Sequence, residues 1–326
     1  MTRRKYVSFL VGVALASVVC SPGLAQTYPS RTIKLVVPFP PGGPTDVTAR
    51  LVAERLSSRL GQSVIVENRS GGAGGTVGAK SVAASDPDGY TLLLALTGTL
   101  TITPAIYKDT GFDTLRSFAP VAMVAASAQV LTIHPSVPAN SLQELVAHAK
   151  SNPGKVSYAS PGFGTQPHLL GELLKWVTGT NMVHVPYKGS APAVTDLVAG
   201  QVQAAFDSPS VLLPHVEAGK LKAIAVTGDT RVARLPQVPT VAESGVPKLQ
   251  ATLWSGILAP AGTPENVIAK LNEAINEDLR SADMRASLAR FSADPKIVTP
   301  QQFTIFLAEE IRRWAELVSA AGIKAE

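Results

Sequence analysis

The stretch Pro38 to Arg50, PFPPGGPTDVTAR, constrains the fold most, because the end of a strand, a rigid turn and a helix start must all fall within it. The run before it, Ile33-Lys34-Leu35-Val36-Val37, is β-favouring and bounded by proline, which suits a buried strand. Gly42 and Gly43 let the backbone turn and approach a ligand with no Cβ in the way. Pro44 fits the first helical position, where a missing N–H costs nothing. Val47, Leu51, Val52, Leu56 and Leu60 recur at helical spacing, so the helix lays one face on a sheet and its N-terminus points out of the strand's carboxyl end. Free N–H groups and a partial positive charge gather there, which suits an anion, although the loop taken alone is equally a tight strand-to-helix turn.

The same design returns in the second half, in Lys155 to Leu174. A strand, Val156 to Ala159, runs into Ser160-Pro161-Gly162-Phe163-Gly164-Thr165, and a helix begins near Gln166 or Pro167 with Leu169, Leu170, Leu173 and Leu174 on its apolar side. Two such loops facing one another present backbone donors to one small anion across a cleft.

At 326 residues the chain suits two α/β domains. Arg3-Arg4-Lys5, the apolar run Tyr6 to Val19 and Gly23-Leu24-Ala25 together describe a secretory signal over residues 1–25, by the general or the twin-arginine route. Cys20, the one cysteine, lies inside it, so the mature chain is expected to lack thiolate metal sites, disulfides and cysteine nucleophiles. Removing the signal takes 29 Lys and Arg against 24 Asp and Glu to 26 against 24, a balance that points to neither nucleic acid nor an anionic membrane.

Ser63 to Asn68 reads as a strand, and Gly71-Gly72-Ala73-Gly74-Gly75 leads into a helix from Thr76 to Ala84. The spacing of these glycines matches no dinucleotide fingerprint or phosphate loop, leaving a structural or cleft-lining loop. Asp86-Pro87-Asp88-Gly89 is a turn. Tyr90 to Leu96 is a buried strand that delivers Thr97 and Thr99 where an α/β sheet binds ligands, or where they cap the helix that follows through Ile106. Pro120 to Ala126 and Val130 to Ile133 are extended around Ser127-Ala128-Gln129, the first crossing between domains. Ser141 to Glu144 is a capping box. Met182 to Pro186, Val202 to Phe206 and Lys222 to Thr227 alternate with helices over residues 190–199 and 212–218, which predicts parallel βαβ units. Leu253 to Leu258 carries the chain back. Thr263-Pro264 caps a helix with Val267, Ile268, Leu271, Ile275 and Leu279 inward, and a last helix docks Phe303, Leu307, Ile311, Trp314 and Val318. The expected lobes are 26–127 plus 252–326, and 128–251.

No nucleophile elbow or zinc-binding motif occurs, and the five histidines lack ligand-like spacing, so neither a metal nor a cofactor is expected. His168, in the first turn after the Ser160 loop, either braces that loop or touches the ligand. Asp46 either contacts ligand or is taken up by its own helix and Arg50. Lys188, after Tyr187, either meets a carboxylate or is solvated. Asp207 is a carboxylate at the end of an apolar strand, a costly place unless it is hydrogen-bonded or meets a cation.

These stretches, together with Asp86 to Leu93, His184-Val185-Pro186-Tyr187-Lys188-Gly189 with Ala191-Pro192-Ala193, and Val238-Pro239-Thr240 with Glu243-Ser244-Gly245, resemble the Bug family of periplasmic solute-binding proteins, which serve tripartite tricarboxylate transporters. The resemblance covers essentially the whole mature chain; one departure is Thr165, where serine is common and the hydroxyl is kept. It implies a type II periplasmic-binding-protein fold, two α/β lobes with mainly parallel sheets joined by crossover strands. It also implies a monomer that closes on a small carboxylated solute and hands it to membrane subunits. The solute's carboxylate is then expected at Phe39, Pro41, Gly42 and Gly43 and at Ser160, Gly162, Gly164 and Thr165, with Asp46, Thr97, Thr99, Ser127, His168, Tyr187, Lys188 and Asp207 around it. A periplasmic enzyme on the same scaffold is the alternative, without a nucleophile–base pair to support it. The effector domain of a transcription regulator shares the plan but not the export signal.

Overall fold

The computed structural model describes residues 27–324; the expected export signal and Cys20 lie outside the described residues. Two sheets organise the chain. The first holds β1 (Ile33–Val37), β2 (Val64–Asn68), β3 (Thr91–Leu96), β4 (Phe118–Ala128), β10 (Thr252–Pro260) and β11 (Asp294–Pro295), in the order β11-β4-β10-β3-β1-β2. The second holds β5 (Val130–Ile133), β6 (Ser157–Ser160), β7 (Val183–Pro186), β8 (Ala204–Asp207) and β9 (Lys222–Val226), in the order β7-β6-β8-β5-β9.

Both sheets are mixed. In the first, β1 pairs in parallel with β2 and β3, whereas β10 runs against both β3 and β4, and β11 runs against β4. In the second, β6, β7 and β8 are parallel and β5 runs against β8 and β9. The strands that run against the rest at a lobe crossing are β10 in the first sheet and β5 in the second; the two-residue β11 shares the direction of β10 without being a crossing. A chain entering a lobe along one crossing strand must run opposite to the strands that its own helices return to the same end.

Strands buried on both faces explain the near-continuous apolar runs. In β1, Ile33, Leu35 and Val37 pack with the Pro44–Leu60 and Glu265–Arg280 helices, while Val36 faces Ala79, Val82, Phe303 and Leu307 on the other side. The helix start at Pro44 and the strand at Ile33 lie where the pattern puts them. Val47, however, points to solvent at 38% exposure. The buried face runs through Ala49, Val52, Ala53 and Leu56, and at 100° per residue Val47 falls about 160° from Ala49. Ser141 caps the Leu142–Ser151 helix, but the Glu144 carboxylate reaches the Asn140 amide (2.7 Å), one residue short of a reciprocal box. Thr263 donates back to the Pro260 carbonyl rather than capping the next helix, and the reciprocal box stands at Thr299 and Gln302.

The lobes meet along more than the crossing strands. Phe303 and Leu307 of the last helix, Pro300–Ala321, sit on the first sheet, whereas Trp314 and Val318 join the core of the second, together with Ile102 and Ile106. At the junction Glu310 accepts from the indoles of Trp254 (3.2 Å) and Trp314 (3.0 Å) and pairs with Arg313.

Candidate ligand-binding cleft

In the first lobe the loop after β1 is held by Asp46. Its Oδ2 accepts from the Gly42 amide (3.0 Å) and from Arg50 Nε (2.9 Å), and its Oδ1 from Asn68 Nδ2 (3.0 Å), which also reaches the Phe39 carbonyl (3.1 Å). Burial alone pushes this carboxyl's pKa up, but the Arg50, Gly42 and Asn68 hydrogen bonds outweigh it and hold the pKa below the usual value. Gly42 takes a positive φ of 83°, whereas Gly43 has an ordinary φ of −79°, and a Cβ there would make only an ordinary contact with the Pro40 carbonyl at 3.8 Å. Of the pair, only Gly42 needs to be glycine for its backbone.

In the second lobe the loop after β6 is held by an aromatic pile. The rings of Tyr158 and His184 stack at 4.9 Å, His168 lies on His184 at 4.4 Å, and Phe163 meets both histidines edge-on. His184 Nε2 lies 2.7 Å from the Ser160 hydroxyl, and His168 Nδ1 accepts from the Gly164 amide (3.3 Å), which places the His168 proton on Nε2. Burial lowers the two histidines to about 4 and about 3, the second further depressed by the first. Thr165 donates to the Gly162 carbonyl (2.7 Å).

Both helices begin with Pro at the first turn and without a side-chain cap bond, and Pro44 and Gln166 line one small inner cavity of about 60 Å³. An outer cavity of about 410 Å³ opens above it between Phe39, the Gly71–Gly75 loop, Gly162 and Lys188. The glycine loop that matches no nucleotide motif closes the back of this cleft. Its Gly74 amide donates to the Phe163 carbonyl across the lobes (2.8 Å), Thr99 donates to the Gly74 carbonyl (2.7 Å), and Thr103 to that of Gly164 (3.1 Å). Backbones come so close there that a Cβ on Gly164 would lie 2.5 Å from the Thr103 hydroxyl, at a φ of 74°.

Two α/β lobes with capless helix starts aimed at one cavity describe a solute-binding cleft, and the comparison with known proteins decides which kind. The model for the tripartite tricarboxylate transporter family receptor, TctC, matches residues 48–323. The chain belongs to this receptor family. It is similar to BugT of Bordetella pertussis, 41% identical over 317 residues that cover 97% of each chain. Among solved structures it is similar to a protein of R. palustris crystallised with adipate, at 36% identity and TM-score 0.87, covering 91% of this chain and 99% of that one. It is also similar to MatC of Rhodopseudomonas palustris with bound malate, at 35% identity and TM-score 0.84, covering 89% and 100%.

Within this TctC receptor, Phe39 and Thr165 line both cavities, Asp207 the inner one, and Gly162, Tyr187 and Lys188 the outer one. Ser127 lines an adjoining recess with Pro44 and Ser208. Tyr187 donates to Asp196 (2.7 Å), and burial with that contact raises its hydroxyl to about 12. Pro41 and Gly42 stand at the exposed loop tip, and Gly43 at the helix start. Asp46, Ser160 and His168 turn inward as braces of their loops; Thr97 receives the Trp254 amide (3.1 Å), and Thr99 and Gly164 form the closure behind the cleft. Gln129, Gln166, Ser190 and Ser208 also line the inner cavity. Of these, Gln129 left one sequence signal, a lone amide between two apolar extended runs.

Among the described residues no group of three His, Cys, Asp or Glu is placed to hold a metal ion, and no helix is long and apolar enough to cross a membrane.

Proposed function

We propose that this protein is a periplasmic receptor that captures a small carboxylated solute between its lobes and delivers it to the membrane subunits of a tripartite tricarboxylate transporter. It acts as a monomer and carries out no chemistry on the solute. The lobes, 26–127 with 252–326 and 128–251, close about the crossing strands, and residues 1–25 direct export. The observation that carries this reading is the pair of helix starts at Pro44 and Gln166, both without side-chain caps and both on one cavity, because unclaimed N–H groups favour a negative charge. That two relatives were solved with malate and with adipate supports the same chemical class.

A panel of mono-, di- and tricarboxylates tests it. At a hundredfold excess over its Kd, the right solute stabilises the protein by about 2.7 kcal/mol. A melting temperature that no carboxylate moves, but that a neutral sugar or a cation raises, sinks the proposal. Amino-terminal sequencing of the periplasmic product is expected to begin near Gln26; an intact Met1 on cytoplasmic protein contradicts the export part alone.

A further inference from the structure

Gln129 is the single residue between β4 and β5, and its side chain is fully buried. Its main chain is tied on both sides to Thr227: the Gln129 amide donates to the Thr227 hydroxyl and the Thr227 amide to the Gln129 carbonyl, each at 2.9 Å. Thr227 in turn donates to Ala251 (2.6 Å), so the two lobe crossings are knotted at this point. The side chain lines the inner cavity, and neither its amide nitrogen nor its amide oxygen has a partner among the described residues. Buried amides are nearly always satisfied, so one with both ends open at a cavity wall is expected to meet whatever fills the cavity.

Two more acceptors face the same space. Gln166 donates from Nε2 to the Thr252 carbonyl (3.1 Å), which fixes its amide orientation and leaves Oε1, also buried, without a partner. Asp207, 4% exposed, accepts from the Ser208 amide (2.7 Å) and, at 3.5 Å, from the Ser208 hydroxyl. Among the described residues no Lys or Arg lines this cavity. Its side-chain wall therefore presents three acceptors, the Gln129 oxygen, the Gln166 oxygen and a carboxylate, against the Gln129 nitrogen and the hydroxyls of Ser190 and Ser208. A bare carboxylate brings only acceptors and leaves those three acceptors unmet.

We propose that Gln129, Gln166 and Asp207 form a subsite that reads a hydrogen-bond donor, a hydroxyl or an ammonium, carried by the solute on the carbon next to a carboxylate. This rests on the carboxylate reading above and sharpens it. The helix starts hold the carboxylate, the Gln129 nitrogen adds one donor to it, and the three acceptors receive the neighbouring O–H or N–H. The discrimination is asymmetric, because an analogue lacking the donor leaves buried acceptors unpaired.

Calorimetry on the mature protein tests this with two matched series, succinate, malate and aspartate, and adipate, 2-hydroxyadipate and 2-aminoadipate. In the series that binds, the hydroxy or amino acid is expected to bind at least tenfold tighter than the bare diacid. Gln129→Leu and Asp207→Asn are each expected to shrink that ratio severalfold. Asp207→Asn acts more on the amino than on the hydroxy acid if ammonium is the donor read. Gln129→Leu is also expected to raise the melting temperature of the free protein, since it removes an unpartnered buried amide, whereas a residue with a purely structural role would lower it. A bare diacid that binds as tightly as its substituted partners, or a ratio unchanged in both variants, overturns the subsite and leaves the receptor reading standing. If no carboxylate binds at all, the receptor reading falls and the subsite with it.

Discussion

The two loops that face each other across the cleft share one plan and are held by opposite chemistry. In the first lobe the brace is charged: Asp46 is gripped by Arg50, Asn68 and the Gly42 amide, and the Arg50 side chain is 56% exposed. In the second the brace is neutral, a buried stack of Tyr158, His184 and His168 that the Gly164 amide and the Ser160 hydroxyl join. The difference shows that a helix start needs a rigid loop in front of it but not a particular means of rigidity. It also fixes which side yields to acid. Histidines lowered to about 4 and about 3 take up protons far more readily unfolded, so their contribution to stability is lost as pH falls below the ordinary histidine range. Asp46, held below its usual value, keeps its contribution until the pH falls through the carboxylate range.

The sharpest way to break the comparison is at the glycines. Gly164→Val places a branched side chain at positive φ against Thr103, a strain of about 1–3 kcal/mol before any clash, and is expected to cost roughly a hundredfold in affinity. Gly43→Ala, at an ordinary φ with only an ordinary contact to the Pro40 carbonyl, is expected to stay within about threefold. Titration calorimetry on folded variants measures both, and equal losses would mean that the two loops are not differently built.

Acid unfolding comes next. Between pH about 6.5 and about 4, stability is expected to drop by on the order of 3 kcal/mol for His168. His168→Gln, which keeps an acceptor for the Gly164 amide, is expected to flatten that slope in urea melts taken across the range. An unchanged slope would show that the stack titrates normally.

Asp207 runs the other way. Burial raises it to about 6, so its contribution is present below the unfolded value of 3.8 and is lost as pH rises through 6, a change of about 2–3 kcal/mol. Asp207→Asn is therefore expected to make the free protein more stable at pH 7.5 and its acid loss steeper; a variant less stable at pH 7.5 contradicts this. Smallest of all, Arg50→Ala removes an ion pair whose cation is in solvent, and is expected to lower the melting temperature by about 2 °C or less. A larger fall, or one insensitive to salt, would make the first brace as deep as the second.

Much of this molecule is legible from spacing alone. The strand Ile33–Val37, the helix from Pro44, the glycine loop after Ser160 and the inward stripe Val267, Ile268, Leu271, Ile275 and Leu279 follow from periods of 2 and 3.6 and from proline and glycine, which act on neighbouring residues. Those local rules also brought the two loops into view as one design. Only the tertiary structure decided that the Gly71–Gly75 loop latches onto Phe163, that His168 lies on His184, and that the crossing strands run antiparallel to their neighbours. Nor did spacing mark Gln129 as a residue of the cleft. Whether a buried amide is spent within the protein or left open to a ligand depends on partners brought near by the fold, and here Thr227, 98 residues away, engages only its main chain.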